Sequence, residues 1–185
     1  MEASSAASTF ESMKILTLTQ PWATLVAIGA KRIETRSWTT DYRGPVAIHA
    51  AKTLNGLGRA PVAEQEAALV RLCDSFGFFD VLLAEFGPSF HPEDLPRGQI
   101  LAVADLADVF PISHHPDDCP DAWHRYKSGA LEIRFGDYSH GRYGWCFESV
   151  RPLPVPIEWR GMQGLSALEP AMARYIAKEI ETVEV

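Results

Sequence analysis

Three charged residues of complementary chemistry lie close together near the start of the chain. Lys31 follows Gly29, which is suited to end a short helix, and Glu34 and Arg36 lie two residues apart in a segment typical of a strand. Alternate residues of a strand share one face, so we expect the Glu34 and Arg36 side chains to lie together with Lys31 nearby. Such a group can bind an anion or read a base edge through its carboxylate and guanidinium. A solvated ion pair of little energetic weight is the alternative.

Lys31 and Glu34 are also the candidate catalytic pair. A lysine held in an apolar cleft has its ammonium form disfavoured by desolvation, and it can then serve as a base or nucleophile near neutral pH. Glu34 would move protons in such a reaction. An ordinary surface lysine at a helix end is the alternative interpretation of Lys31.

Aromatic and polar residues around this group complete a candidate binding surface. Aromatic side chains beside basic residues are what base stacking on single-stranded RNA requires, although core packing is the alternative for each of them. A helix start offers free amides to an anion, and basic residues further on extend a rim for phosphates. The candidate RNA-binding or nucleotide-binding residues are Gln20, Trp22, Lys31, Glu34, Arg36, Trp38, Arg43, Lys52, Tyr143 and Trp145.

Metal-capable side chains occur in one later stretch, which contains His114, His115, Asp117, Asp118, Cys119 and His124. Their spacing matches no standard zinc pattern, so a polar loop is the favoured interpretation. The chain also carries no phosphate-binding or dinucleotide-binding glycine motif and no H-E-x-x-H sequence. The sequence therefore predicts no cofactor and no metal site, with a divalent metal left open as an alternative.

Short strands and a few helices must position these residues. Alternating and β-rich segments predict strands at residues 14–19, 33–38, 45–50, 99–109, 143–150 and 157–159. Residues 38–45 have the length of a hairpin connection. Helices are expected just after Pro21, over 61–73 and at about 168–181, while 76–86 fits a helix or an irregular aromatic segment. We predict an α+β fold, a small mixed β-barrel with flanking helices and an acidic helical insertion at about 53–98.

Length and composition favour one globular domain. The chain has 185 residues, of which 46% are hydrophobic and 22% charged. We expect a disordered leader at 1–12 and a single domain over 13–185. No apolar run approaches the ~20 residues that span a bilayer. The start lacks the features of a signal peptide, and the three cysteines are scattered, which together favour the reducing cytoplasm. We also expect a monomer.

The net charge hides two unlike regions. The total is −7, which argues against a protein that coats nucleic acid without specificity. Residues 31–59, however, carry six basic and two acidic side chains, whereas residues 60–121 carry two basic and twelve acidic ones. This distribution predicts a selective site on an acidic body.

Five ordered motifs resemble the ASCH domain family, a branch of the PUA-like group of small β-barrels. They are Gln20-Pro21-Trp22, the segment from Gly29 to Arg36, Tyr42-Arg43-Gly44, Arg97-Gly98-Gln99-Ile100 and Gly141-Arg142-Tyr143-Gly144-Trp145. The resemblance implies a PUA-like barrel with a central cleft used on RNA or nucleosides. Some small members of the family are amide hydrolases of N4-acylated cytidine, and others are described as nucleases. Lys31 matches the catalytic lysine of those hydrolases, and Glu34 stands at the position of their threonine.

We therefore expect an ASCH-domain protein that binds RNA or a modified nucleoside in a cleft lined by Lys31, Glu34 and Arg36. The first alternative is an amide hydrolase of N4-acylated cytidine that uses Lys31 and Glu34. A metal-dependent ribonuclease is a further alternative, and so is a protein-interaction domain that uses the acidic insertion.

Overall fold

A six-stranded sheet forms the centre of the protein, as seen in a computed structural model that describes residues 12–54, 60–113 and 130–182. The predicted leader up to residue 11 and the stretch from His114 to His124 lie outside these residues. The strands are β1 (Lys14–Leu18), β2 (Ile33–Arg36), β3 (Gly44–Ala50), β4 (Gln99–Pro111), β5 (Tyr143–Glu158) and β6 (Leu165–Ala167). The helices are α1 (Trp22–Ala27), α2 (Val62–Phe76), α3 (Phe78–Phe86), α4 (Ala130–Arg134) and α5 (Pro170–Glu181).

The sheet is mixed and curled. Its strand order is β2-β5-β4-β3-β1-β6, so β2 and β6 are its two edges. β1 and β3 pair in parallel, and every other neighbouring pair is antiparallel. Register shifts bend β4 and β5 against each other, and the sheet forms a half-barrel. The predicted α+β class with a small mixed barrel-like sheet is confirmed.

β5 is longer, and differently paired, than the sequence predicts. It runs without a break through Pro152, Pro154 and Pro156, where we expected an edge segment between two strands. Its partner β2 ends at the Ile33–Cys146 pair, so the prolines lie where β4 is the neighbouring strand and one side of β5 is unpaired. The hairpin expected over residues 38–45 is absent, because β2 pairs with β5 whereas β3 pairs with β1 and β4.

Helices cover both faces of the sheet. Alternation along β1 sends Leu16 into a core with Val26 of α1, while Ile15 packs with Ile176 of α5 on the opposite face. The observed α5 agrees with the helix expected at about 168–181. Among the helices described, none combines the length and apolar character needed to cross a bilayer.

Two helices between β3 and β4 build a separate apolar cluster. The aromatic segment for which the sequence left two interpretations forms a helix, α3. Leu69 of α2 and Phe78 of α3 are fully buried against Leu25 of α1 and Phe135, which follows α4. These helices therefore fix one end of α1 and the backbone that follows α4.

Candidate functional site

An open cleft of about 660 Å³ lies between β1, β2 and the segment that follows α4. We call it the first cleft. Its rim and floor include Thr17, Trp22, Glu34, Arg36, Trp38, Phe76, Arg134, Phe135, Asp137 and Arg142. Three arginines and two acids among these residues give it a small positive charge on a chain whose total is −7.

Lys31, Glu34 and Arg36 come together as a row of alternating charges. The Nζ atom of Lys31 lies 3.7 Å from Oε2 of Glu34, and Oε1 of Glu34 lies 3.2 Å from Nε of Arg36. Nη2 of Arg36 donates to the backbone oxygen of Thr17 at 3.2 Å, which ties the row to β1. The Glu34 and Arg36 side chains are 12% and 25% exposed, so both can be reached from the cleft.

Lys31 is the inner end of this row and is fully buried. Its ammonium donates to the backbone oxygen of Ile33. Burial lowers the pKa of Lys31, and the nearby carboxylates of Glu34 and Glu132 partly counter that effect. A ligand in the cleft therefore meets Glu34 first, and Lys31 holds that carboxylate from beneath.

Glu132 of α4 is a buried acid that sequence analysis missed. Its carboxylate accepts from the backbone N–H groups of Arg32 at 2.9 Å and Ile33 at 3.1 Å, and from the Tyr138 hydroxyl at 3.2 Å. Burial raises the pKa of Tyr138, so the phenol stays protonated as a donor. These bonds hold the start of β2 and so orient the row of charges. The only signal in the sequence was an acid in a short apolar stretch, which resembles an ordinary exposed helix position.

Aromatic side chains form the walls of the first cleft. Nε1 of Trp22 donates to the backbone oxygen of Phe135 at 2.8 Å, which fixes the indole at the cleft. Trp38 also lines the cleft and is held edge-to-face on Trp145, with ring centroids 4.6 Å apart. Phe76, at the end of α2, lines it as well and is 45% exposed. Sequence analysis did not select Phe76, which belongs to the acidic segment predicted as a helical insertion at about 53–98.

A second arginine stands beside the charged row. Nη2 of Arg142 donates to the backbone oxygen of Thr35 at 2.9 Å, and its Nε lies 3.5 Å from Oδ2 of Asp137. Hydrogen bonds from Ser139, together with the charge of Arg142, lower the pKa of Asp137. Arg142 thus presents a fixed positive charge to the cleft. Sequence analysis placed it in one of the five motifs but did not include it among the candidate binding residues.

Three predicted residues lie where a ligand in this cleft does not reach them. Gln20 is buried, and its amide donates to Thr24 and to Pro96, so it serves the fold instead of an anion. Trp145 is fully buried in the core beneath Trp38, so it supports the wall and cannot stack on a base. Tyr143 packs, half-buried, against the same core.

The two outer basic residues are separated from the first cleft. Arg43 is exposed, and its Nη2 lies 3.5 Å from Oδ1 of Asp108, away from the cleft residues. Lys52 lies on a second cleft of about 800 Å³ that is also lined by His49, Arg97, Glu158 and the segment 159–163. Thr17 lines both clefts. The single phosphate rim expected from the sequence is therefore not formed by these two residues.

No group of three or more His, Cys, Asp or Glu side chains suited to a metal ion occurs within residues 12–54, 60–113 and 130–182. The stretch from His114 to His124 is outside that range. The first cleft thus offers arginines, a carboxylate and aromatic walls, a set suited to a planar polar ligand with a negative charge.

Comparisons with known proteins agree with the motifs. Activating signal cointegrator 1 of Mus musculus is 32% identical over 112 residues, and that of Homo sapiens is 33% identical over 114 residues. Each match covers 60% of this chain and 17% of the relative, so the chain spans about a sixth of those proteins. The crystal structure of ASCH from Zymomonas mobilis aligns with a TM-score of 0.47 at 12% identity, over 89% of this chain and 94% of that one. The pattern of the ASCH domain matches residues 16–148. The chain therefore belongs to the ASCH domain family.

Proposed function

We propose that this protein binds single-stranded RNA and holds one base in the first cleft. The observation that carries the proposal is the row of charges at the floor of that cleft, where Glu34 is fixed between buried Lys31 and Arg36. The charges are held in place by the fold, so a ligand does not have to order them on binding.

The chemistry of the cleft suits a nucleobase. A carboxylate accepts from an exocyclic amine such as that of cytosine, and a guanidinium donates to ring or carbonyl acceptors. Trp22, Trp38 and Phe76 offer ring faces or edges for stacking. The volume of about 660 Å³ lies within the range of roughly 300–1,000 Å³ that small ligands occupy.

Family membership supports a nucleic-acid ligand, because ASCH domains are generally associated with RNA binding. We also infer a cytoplasmic location. Cys73 is a buried thiol outside any disulfide, which suits a reducing compartment.

Binding of a fluorescein-labelled hexanucleotide of mixed sequence, followed by anisotropy, tests the proposal. We expect Arg36→Ala to weaken binding about 10-fold or more, since a charged hydrogen-bond donor is removed from the floor. Arg174→Ala, an exposed position on α5, removes the same charge elsewhere and should leave binding unchanged. Wild-type affinity in both Arg36→Ala and Glu34→Gln, with intact circular dichroism, would contradict the proposal.

Hydrolysis of an N4-acylated cytidine is a second candidate function. The observation that favours it is a buried lysine of lowered pKa directly behind a carboxylate that faces the cleft. In this reaction Glu34 takes a proton from water, the water oxygen bonds to the acyl carbon, and the C–N bond breaks. The leaving amine receives the proton, so the products are cytidine and a carboxylic acid. Lys31 would act by holding Glu34.

Incubation with N4-acetylcytidine, with free cytidine measured by chromatography, tests this candidate. We expect cytidine from the wild-type protein and at least about 100-fold less from Glu34→Gln, the range that one general base contributes. If the intact protein releases no cytidine, the hydrolase function is excluded. Shortening of RNA that stops in EDTA would instead indicate a metal-dependent ribonuclease.

A further inference from the structure

We propose that the second cleft binds the phosphodiester backbone that continues from the base held in the first cleft. The ligand would then be a strand of at least two nucleotides and not a free nucleoside. This inference rests on the proposed function, because it assumes that a base occupies the first cleft.

The two clefts adjoin at one residue. The backbone oxygen of Thr17 accepts from Arg36 on the side of the first cleft, and its hydroxyl accepts from the backbone N–H of Met162 at 3.0 Å on the side of the second. Both clefts are open to solvent and include Thr17 of β1 in their lining. An RNA strand that leaves the first cleft past Thr17 therefore enters the second cleft.

The second cleft is strongly basic. Lys52, Arg97 and Arg160 line it against one acid, Glu158. Lys52 and Arg160 are exposed, whereas Arg97 is partly neutralised by Glu66, whose Oε1 lies 3.5 Å from its Nη2. On a chain with a total charge of −7, a net positive groove selects an anion, and phosphates of a strand carry that charge.

The floor of the second cleft adds a neutral polar group. His49 is 1% exposed, and its Nε2 lies 2.9 Å from the backbone oxygen of Trp159, so that nitrogen carries the proton. Nδ1 is then an acceptor, and it is buried without a hydrogen-bond partner among the residues that the structure describes. Burial lowers the pKa of His49, which keeps the ring neutral. The buried ring therefore shapes the floor of the second cleft, and the three basic side chains around it supply the contacts to phosphate.

Gly161 keeps this floor low. A Cβ atom added there would lie 2.8 Å from Cε1 of His49, closer than real contacts allow, so only glycine lets the backbone lie against the ring. The basic side chains therefore surround a floor on which no side chain projects from position 161. This leaves room for an RNA strand.

A paired comparison of variants tests the inference. The hexanucleotide used above and each of the four free nucleosides are titrated by calorimetry into the wild type, into Lys52→Ala/Arg160→Ala, and into Arg174→Ala/Lys178→Ala on α5 as a charge-matched control. We expect the first double variant to bind the hexanucleotide at least about 10-fold more weakly, with nucleoside binding unchanged. Its salt dependence should also fall, because each lost phosphate contact removes about 0.7 from the slope of log K against log salt.

The outcomes separate this inference from the proposed function. If Lys52→Ala/Arg160→Ala binds the hexanucleotide like the wild type while Arg36→Ala does not, the second cleft takes no backbone and the base-binding proposal stands. If both variants bind like the wild type, both proposals fail. Inorganic phosphate that binds as tightly as the hexanucleotide would also overturn the inference, since a free anion would then account for the cleft.

Discussion

Lys31 is fully buried, and polar or negatively charged groups surround its ammonium. Its ammonium contacts the Ile33 carbonyl and the Glu34 carboxylate, and the Glu132 carboxylate adds a favourable charge. Removing one partner of such a group is strongly destabilising, because it leaves a buried charge uncompensated. The lysine therefore serves to position Glu34 at the cleft.

The titration of Lys31 should reveal this balance. Burial lowers its pKa and Glu34 raises it, so we expect a midpoint below 10.5 in the wild type and a still lower one in Glu34→Gln. Heteronuclear NMR of the Nζ and Cε shifts measures both. A midpoint above 10.5, or a rise in Glu34→Gln, would contradict the arrangement described.

The lowered pKa of Lys31 also makes the free energy of unfolding depend on pH. A lowered pKa in the folded state means that the unfolded chain binds the extra proton between the folded midpoint and 10.5. The free energy of unfolding should therefore rise with pH in that window, relative to Lys31→Met.

At the scale of elements, the bulge in β5 bends the sheet at Ser149. This residue has φ of 47°, and the register of β5 against β4 shifts between the Val103–Arg151 and Asp105–Glu148 pairs. A bulge bends the strand and increases the local twist, so β5 curves at this point.

Substitutions at Ser149 should show the strain of that conformation. We expect Ser149→Val to lower the free energy of unfolding by roughly 1–2 kcal/mol relative to Ser149→Gly, because a β-branched residue tolerates positive φ poorly. Urea denaturation measures the difference. Equal stability of the two variants would show that the backbone relaxes at this position.

The helices between β3 and β4 support the wall of the first cleft. Phe78 of α3 packs edge-to-face on Trp22 and against Phe135, with centroids 5.9 and 5.2 Å away. These two residues are joined by the hydrogen bond that fixes the Trp22 indole. The acidic segment thus contributes Phe76 to the cleft and buttresses it through Phe78.

Phe78 and Phe86 on the same helix provide a matched pair. Phe78→Ala should cost roughly 3–5 kcal/mol of stability, since it empties a fully buried site, and it should weaken hexanucleotide binding. Phe86 is 49% exposed, so Phe86→Ala should cost about 1 kcal/mol or less and leave binding intact. Thermal denaturation and anisotropy measure the two effects. Similar losses in both variants would argue against a specific supporting role for Phe78.

At the scale of the whole molecule, two adjoining basic clefts lie on an acidic protein. Residues outside the clefts carry the excess negative charge that brings the total to −7. A long nucleic acid gains contacts in the clefts and meets repulsion elsewhere.

Affinity should therefore level off with the length of the strand. We expect a clear gain between a mononucleotide and a trinucleotide, and little further gain from six to twelve nucleotides beyond the statistical factor for added sites. Anisotropy with labelled ligands of one, three, six and twelve nucleotides measures this. An affinity that grows steadily with length would indicate an extended, unselective surface.

Sequence by itself determined the local features of this protein. β-rich alternation and the five motifs predicted every strand except β6, and also the α+β class and the family, because hydrophobic period and turn chemistry act over a few residues. The spacing of Glu34 and Arg36 placed both side chains on one face of β2, and the structure joins them within 3.2 Å. The charge asymmetry along the chain also predicted a selective site on an acidic body, which stays a prediction.

Only the tertiary structure decided which distant residues meet. Glu132 reaches the backbone of Arg32 across 100 positions, and Phe76 and Arg142 join the cleft from segments far in sequence from Glu34 and Arg36. Three predicted residues lie outside the first cleft. Core packing buries Trp145, whereas Gln20 and Arg43 interact with Pro96 and Asp108. The physical reason is that burial depends on how elements pack over the whole chain, whereas composition and spacing report only the preferences of neighbours.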